Sequence, residues 1–264
     1  MSISITEKYS PLDLSRATVL LTGGASGIGL GLAENFVKAG STVIVTGRRE
    51  SALKEAQEKL PGLHIKVSDV GKVEDREELA KWAVEKHPEL NILVNNAGIQ
   101  RRVALAEDHD WPARQLEIDI NCSGPVHLID LLTPHLLKQP EAAIINLSSS
   151  LGFIPCAFGP TYGATKAFMH SWTVAARPSY AKSNIRIFEI IPPAVQSNLG
   201  GSHDYGEPTD EFCAAVFKKF TEGEKEIGYK ASDEWRAPDR LGNDKIFQEQ
   251  TEKTFNGKYK VFEK

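Results

Sequence analysis

Short apolar runs rich in β-branched residues alternate with segments of helical periodicity along most of the chain. The runs are continuously apolar, which is typical of strands buried on both faces of a parallel sheet. We predict six such strands, at residues 17–21, 42–46, 64–67, 91–95, 143–147 and 185–190. A shorter run at residues 226–229 predicts a further strand at the edge of the sheet.

Helical patterns fall between these runs and end at turn residues such as Gly40 and Pro61. We predict helices at residues 28–39, 50–60, 73–86, about 110–137, about 161–182 and about 210–221. Alternating strands and helices imply right-handed βαβ crossovers, and therefore an α/β fold with a doubly wound parallel sheet, the Rossmann fold. No linker or shift in composition divides the chain, so we expect a single domain over residues 16–264.

Two segments depart from this regular alternation. Residues 1–15 mix charges and proline and are expected to form a disordered N-terminal extension. After Pro193 the chain becomes polar and rich in glycine, and it does so just beyond the sixth predicted strand. Ligands bind at the carboxyl ends of the strands in open α/β sheets, so we expect a short substrate lid at about residues 196–225.

Charge and cysteine content narrow the class of function. The net charge of -4 provides no basic field for nucleic acid or an anionic membrane. Three separated cysteines form neither a disulfide framework nor a metal-ligand pattern, so no metal is expected. The N-terminus lacks the layout of a signal peptide, and no apolar stretch is long enough to span a bilayer. A soluble, cytoplasmic protein with a small-molecule substrate is the resulting expectation.

The first strand leads into a helix through a glycine-rich turn, TGGASGIG, at residues 22–29. Gly23, Gly27 and Gly29 would let the backbone turn tightly and approach a pyrophosphate, which the helix N-terminus at Ser26 and Ile28 would bind. No Lys-Ser or Lys-Thr pair follows the last glycine, so a nucleotide kinase is disfavoured. A dinucleotide site is the prediction.

The end of the second strand distinguishes NAD from NADP. An acidic residue there would bind the ribose 2′-hydroxyl of NAD, whereas an arginine accommodates the 2′-phosphate of NADP. The strand is followed by Arg48 and Arg49, and no carboxylate occurs before Glu50. We therefore predict NADP(H), although the two arginines could instead be a solvated helix start.

Six motifs in order resemble the short-chain dehydrogenase/reductase family over residues 16–195. They are TGGASGIG, Asp69-Val70, the NNAG at residues 95–98, Asn121, the NLSSSLG at residues 146–152, and Tyr162 with Lys166. The segments LVNNAGIQ at residues 93–100 and LTPHLLKQPEAAII at residues 132–145 are similar to a DltE-like branch of that family. The resemblance implies an oxidoreductase with a nicotinamide cofactor.

The resemblance also implies the site residues. The catalytic set is Asn121, Ser149, Tyr162 and Lys166. The implied cofactor contacts are Gly23, Ser26, Gly27, Ile28, Gly29, Arg48, Asp69, Val70, Asn96, Tyr162, Lys166, Pro192 and Val195. Of three consecutive serines, only Ser149 has the family's spacing of thirteen residues before the tyrosine.

Each catalytic residue has an expected role. Tyr162 would be the general acid in reduction or the base in oxidation, and Ser149 would bond the substrate oxygen. Lys166 lies one helical turn beyond Tyr162, so its ammonium, together with an oxidised nicotinamide, is expected to lower the pKa of the phenol. Asn121 would hold a water that links Lys166 to solvent.

Two departures from the family pattern concern prolines. Pro193 replaces the usual glycine after the sixth strand, while Ser197 keeps the hydroxyl position, so the cofactor contacts of this loop are less secure. Pro178 falls late in the helix of Tyr162, where it is expected to kink or end that helix. Family members often pair subunits through this helix, so the resemblance implies a homodimer or homotetramer.

The sequence says least about which residues form the wall of the substrate-binding cavity. Eight residues near the site or in the lid are candidates for it: Gln100, Phe153, Ile154, Cys156, Phe158, Tyr205, Phe212 and Phe217. Their aromatic character favours a mainly apolar carbonyl compound.

Three functions remain open: NADPH-dependent reduction of a ketone or aldehyde to an alcohol, NAD(P)-dependent alcohol oxidation, and a sensor or scaffold that binds NADP without turnover. The intact set of Ser149, Tyr162 and Lys166 argues against the third, because a binding module would not need a poised phenol.

Overall fold

A computed structural model describes residues 8–201 and 205–236, in which seven parallel strands form one sheet of order β3-β2-β1-β4-β5-β6-β7. The strands are Thr18–Thr22 (β1), Thr42–Gly47 (β2), His64–Val67 (β3), Leu90–Asn95 (β4), Ala142–Leu147 (β5), Ile185–Ile191 (β6) and Glu226–Gly228 (β7). All six predicted core strands and the predicted edge strand are present, and the doubly wound fold is confirmed.

Helices cover both faces of the sheet. They are Gly27–Lys38 (α1), Glu50–Lys59 (α2), Val73–Lys86 (α3), Trp111–Ile118 (α4), Gly124–Leu136 (α5), Pro160–Tyr180 (α6), Thr209–Thr221 (α7) and Ala231–Trp235 (α8). Side chains of α1, α2 and α7 share one apolar core, and those of α3, α5 and α6 contribute to a second. Successive side chains of a strand point to opposite faces, so Val19 and Leu21 enter the first core and Leu20 enters the second.

The helix predicted over residues 110–137 contains an interruption. Asp119–Ser123 form a π-helical turn that connects α4 to α5 without a break in the chain's helical course. Such turns insert an extra residue into the helix and occur frequently at functional sites. Asn121 lies in this turn and is almost fully buried. The prediction of one continuous helix did not distinguish this turn from the α-helices on either side of it.

The N-terminal extension is ordered in part, so the prediction that it lacks structure is wrong for residues 8–15. The Tyr9 amide donates to the Gly223 carbonyl at 2.8 Å, and the Tyr9 ring packs edge-on against Phe188, with 5.1 Å between centroids. Leu14 is buried at the start of a short 3₁₀ helix. Residues 1–7 lie outside the described residues.

The predicted lid, at about residues 196–225, includes helix α7, which the structure places in the core. Helix α7 packs on α1 through Phe212 and Val216, both with no exposed surface, so it belongs to the core. A bridge between Val195 and Glu207 joins the loop after β6 to the residues just before α7. Residues 202–204 of the lid and residues 237–264 of the predicted domain lie outside the described residues.

Pro178 ends α6 within one turn, at Tyr180, as its missing amide predicts. Its neighbour Arg177 is buried and donates to the Glu226 carboxylate at 2.6 Å, which joins α6 to β7. None of the described helices combines the length and the apolar character needed to cross a membrane.

Candidate active site

A cleft of about 950 Å³ lies at the carboxyl ends of the parallel strands. It begins beside Arg48 after β2, passes the glycine turn between β1 and α1, and reaches Ser149, Tyr162 and Lys166. All thirteen residues predicted to bind the cofactor line it. The fold therefore brings the candidate cofactor and catalytic residues into one cavity, while their individual binding roles stay predictions.

The glycine turn is held by close backbone packing. Gly23 has a φ of +68°, and a Cβ atom on Gly29 would lie 2.2 Å from the Gly23 carbonyl oxygen. Asn96 closes the turn from β4, because its side-chain amide donates to the carbonyls of Thr22 at 2.9 Å and Gly23 at 3.0 Å. Helix α1 then begins at Gly27, so its first amides are presented to the cleft.

The end of the cleft that follows β2 carries the two arginines predicted to select NADP. Arg48 and Arg49 are both exposed and line the cleft, and neither has an ion-pair partner among residues 8–201 and 205–236. On the neighbouring loop, Asp69 accepts a bond from the Gly71 amide at 3.0 Å. Two guanidinium groups without an ion-pair partner in the described part of the chain leave this end able to bind a phosphate.

The chemistry of the lining fits a dinucleotide phosphate. Thr46 and Ser148 line the cleft, and their buried hydroxyl oxygens have no hydrogen-bond partner within the described part of the chain. Buried polar atoms without partners are rare in proteins and often mark a place where a ligand or water supplies the missing bond. Together with the glycine turn and the arginines, these hydroxyls form a donor set suited to a nucleotide.

Helix α6 presents Tyr162 and Lys166 to the cleft from successive turns. The β5–α6 connection packs directly on this helix, since a Cβ atom on Gly152 would lie 2.8 Å from the Lys166 carbonyl carbon. The same connection carries Ser149, whose hydroxyl accepts a bond from the Leu151 amide at 3.2 Å. Close contact at Gly152 therefore sets the position of Ser149 relative to Tyr162.

Burial dominates the ionisation of both α6 side chains. It raises the pKa of Tyr162 above its usual value, an effect that the nearby Ser149 hydroxyl opposes in part. It lowers the pKa of Lys166 to about 8. The Lys166 ammonium lies over the Tyr162 ring, 5.7 Å from its centroid, and donates to the Leu147 carbonyl at 2.9 Å. In the protein without a bound nicotinamide, burial thus sets the direction of the Tyr162 pKa shift. The lowering expected from Lys166 together with an oxidised nicotinamide stays a prediction.

Asn121 lies behind the cleft rather than in its wall. Its side-chain oxygen accepts from the Ile99 amide at 2.9 Å, and its nitrogen donates to the Ile99 carbonyl at 2.9 Å and the Thr165 hydroxyl at 3.1 Å. The side chain thus ties the segment after β4 to α6. Its role in holding a water stays a prediction.

The substrate end of the cleft differs from the predicted wall. Five of the eight candidates line it: Gln100, Ile154, Cys156, Phe158 and Tyr205. The prediction is wrong for the other three. Phe212 and Phe217 pack in the core beneath α1, and Phe153 stacks on His170, with 4.3 Å between ring centroids.

Arg102 is a cleft residue that sequence reasoning missed. It directly follows Arg101 and the LVNNAGIQ segment, close to the carboxyl end of β4, and this position was the available signal. No three His, Cys, Asp or Glu side chains of the described chain are grouped so that they could hold a metal ion.

Comparison with known proteins agrees with this architecture. Residues 17–207 match the family described as short chain dehydrogenase. An uncharacterized oxidoreductase of Bacillus subtilis, DltE, is 38% identical over 250 residues, which is 90% of this chain and 98% of DltE. The NADP-dependent 3-hydroxy acid dehydrogenase YdfG of Escherichia coli is 33% identical over 181 residues, which is 67% of this chain and 72% of YdfG.

A solved structure supports the fold. A short chain dehydrogenase from Burkholderia cenocepacia in complex with NADP superposes with a TM-score of 0.78 at 22% identity, and the match covers 89% of this chain and 99% of that one. The family match spans more than half of the chain and includes both the glycine turn and α6. The chain therefore belongs to the short-chain dehydrogenase family of oxidoreductases.

Proposed function

We propose that this oxidoreductase uses NADPH to reduce a ketone or an aldehyde to an alcohol. The observation that carries the proposal is the placement of Ser149, Tyr162 and Lys166 in one cleft with the glycine turn. A buried phenol and a buried amine lie one helical turn apart, and a serine hydroxyl lies near the phenol. A binding module has no need of this set.

The proposed preference for NADPH over NADH rests on the end of the cleft that follows β2. Arg48 and Arg49 would bind the 2′-phosphate of NADP, since a guanidinium donates two parallel hydrogen bonds to phosphate oxygens. The amides at the start of α1 would bind the pyrophosphate. When bound, the nicotinamide supplies the hydride for the reduction.

Tyr162 would donate the proton that the reduced carbonyl oxygen requires. Burial raises the pKa of Tyr162, so the phenol keeps its proton at neutral pH and is in the state that a general acid needs. Alcohol oxidation would need the phenolate instead, which burial disfavours. The protonated phenol is the state from which reduction starts. Oxidation would require the positive charge of an oxidised nicotinamide to lower the pKa.

Ser149 and Lys166 would complete the site. The Ser149 hydroxyl would bond the substrate oxygen and stabilise the charge that develops on it. The bond from Lys166 to the Leu147 carbonyl orients the amine toward the cleft, where its remaining protons could bond the ribose hydroxyls.

The direct test replaces Tyr162 with phenylalanine and measures NADPH consumption against a panel of ketones and aldehydes. We expect turnover to fall about 10²- to 10⁴-fold, the usual contribution of a positioned general acid, with unchanged NADPH affinity. Tyr180→Phe is the matched control, because Tyr180 lies at the end of the same helix and bonds the Thr133 hydroxyl, away from the cleft. Near wild-type turnover by Tyr162→Phe would contradict the mechanism.

A further inference from the structure

Arg102 projects a positive charge into the substrate end of the cleft. Its guanidinium carbon lies 5.1 Å from the centroid of the Phe158 ring and 5.4 Å from that of the Tyr205 ring. All three residues line the cavity that contains Ser149 and Tyr162. A guanidinium that stacks on aromatic faces is restricted in orientation and keeps its hydrogen-bond donors available at the edges.

The neighbouring arginines differ from Arg102 in being neutralised. Arg101 and Arg114 both bind the Asp108 carboxylate, at 2.8 Å and 2.9 Å. Within the described ranges, by contrast, no carboxylate lies within ion-pair distance of Arg102. Of these three arginines, the one that faces the cleft is therefore the one whose charge no carboxylate of the described chain balances.

Two other chain segments lie close to Arg102, which is an exposed residue. The Val103 amide donates to the Phe158 carbonyl at 2.9 Å, which joins the Arg102 segment to the loop before α6. On the other side, a Cβ atom on Gly200 would lie 3.4 Å from the Arg102 Nε and 2.6 Å from the Gln100 side-chain oxygen. The loop after β6 therefore passes close to the guanidinium, and Arg102 belongs to the built wall of the cleft.

The charge of Arg102 acts inside the cavity. Burial raises the pKa of the Cys156 thiol to about 11, and the positive charge of Arg102 is one of the influences that oppose this rise. Cys156 in turn adds to the raised pKa of Tyr162. Arg102 is thus electrostatically close to groups that surround the reacting position.

We propose that Arg102 binds a carboxylate group of the substrate, so that the compound reduced is a keto acid or an aldehyde that carries a carboxylate. This inference rests on the proposed function and adds a substrate class to it. A carboxylate matches the two parallel donors of a single guanidinium. A phosphate dianion would call for further cations, and the other residues named in this wall, Gln100, Ile154, Cys156, Phe158 and Tyr205, carry no positive charge.

The proposal replaces the expectation of a mainly apolar substrate. That expectation counted three phenylalanines that lie outside the cleft and omitted Arg102. With the carboxylate on Arg102, the aromatic rings of Phe158 and Tyr205 would cover the carbon chain that connects it to the carbonyl. Arg102 would then fix the orientation of the substrate, and Tyr162 would carry out the proton transfer.

The test compares each acid with its methyl ester. Acetoacetate, levulinate and their methyl esters are assayed with NADPH on the wild-type protein, Arg102→Gln, Arg102→Lys and a remote control, Arg16→Gln. Arg16 is an exposed arginine that does not line the cleft, so Arg16→Gln removes the same charge away from the substrate. A hydrogen bond between charged groups corresponds to about 10- to 100-fold in binding.

We expect the wild type to prefer the acids and Arg102→Gln to lose about 10- to 100-fold in kcat/KM on the acids alone. Most of the loss should lie in KM, because the carboxylate is bound equally in the ground and transition states. Arg102→Lys should recover part of the loss. In wild type, the kcat/KM for the acids should fall with added salt, and Arg102→Gln should remove this dependence.

Other results would overturn the inference. Equal use of acid and ester by the wild type would do so, as would a loss in Arg102→Gln that affects both equally or weakens NADPH binding. A preference for dihydroxyacetone phosphate over both acids would assign the site to a phosphate.

A different result would contradict the proposed function itself, namely that no carbonyl compound in the panel is reduced. In that case calorimetric titration of levulinate into the protein loaded with NADP decides the role of Arg102. Binding lost in Arg102→Gln supports the inference, and the absence of binding to wild type refutes it.

Discussion

Replacement of Lys166 by methionine should alter the pH dependence of stability, because this lysine is charged and buried. Its side chain is 5% exposed, and burial lowers its pKa from 10.5 to about 8. Methionine keeps the unbranched apolar chain and removes the charge. The variant should lose activity, yet it also removes an unfavourable buried cation from the folded protein.

The size of the effect follows from the two pKa values. A lowering from 10.5 to about 8 corresponds to about 3 kcal/mol of disfavoured charge. Between these two pH values the unfolded chain binds more protons than the folded one, so the stability of the wild type rises with pH in this window. We therefore expect the stability of Lys166→Met relative to wild type to fall by about 2 kcal/mol between pH 7 and pH 10.

The lost hydrogen bond to the Leu147 carbonyl does not disturb this test. Its loss destabilises the variant by about 1 kcal/mol at every pH, so it shifts the difference without changing its slope. Urea unfolding followed by circular dichroism at several pH values measures both proteins. Lys138→Met is the control, because Lys138 is exposed. A difference between Lys166→Met and wild type that stays constant across this range would refute the reasoning.

Two further predictions concern the cofactor end of the cleft and the sheet beneath α6. Arg48→Gln should weaken NADPH binding about 10- to 100-fold in a fluorescence titration and leave NADH binding unchanged, and an equal loss of both would argue against a 2′-phosphate contact. His170→Phe leaves the fully buried Glu189 carboxylate without its partner at 3.0 Å. This loss should lower the free energy of unfolding by about 3 kcal/mol. The double variant His170→Phe with Glu189→Leu should regain most of that stability, because it no longer contains an unpaired buried carboxylate. Burial opposes a charged His170, but the bond and charge of Glu189 raise its pKa overall, so the stability from this pair is fully present below about pH 6.5 and is lost as pH rises through the raised value. Wild-type stability of His170→Phe at pH 6 would contradict this account.

Local sequence was sufficient for most of the fold because its signals are short-range. Each of the six predicted core strands lies within one residue of an observed strand boundary, since a strand buried on both faces must be apolar throughout. The turn at Gly23 and Gly29 was recognisable because only glycine permits that backbone geometry. The helical spacing of Tyr162 and Lys166 likewise placed both side chains on one face of α6.

Tertiary structure determined the remaining features, which depend on contacts between distant segments. The aromatic residues of α7 had two possible environments, and only the packing of α7 on α1 placed Phe212 in the core. The sign of the Tyr162 pKa shift depended on burial, which sequence spacing does not report.

Arg102 shows the same division between sequence and structure. The sequence places three arginines within fourteen residues, and the fold pairs two of them with Asp108. The third is directed between Phe158 and Tyr205, which come from two other segments of the chain. The sequence alone determined that these charges exist. Only the folded chain decided which of them faces the substrate, because pairing depends on distances that sequence separation does not contain.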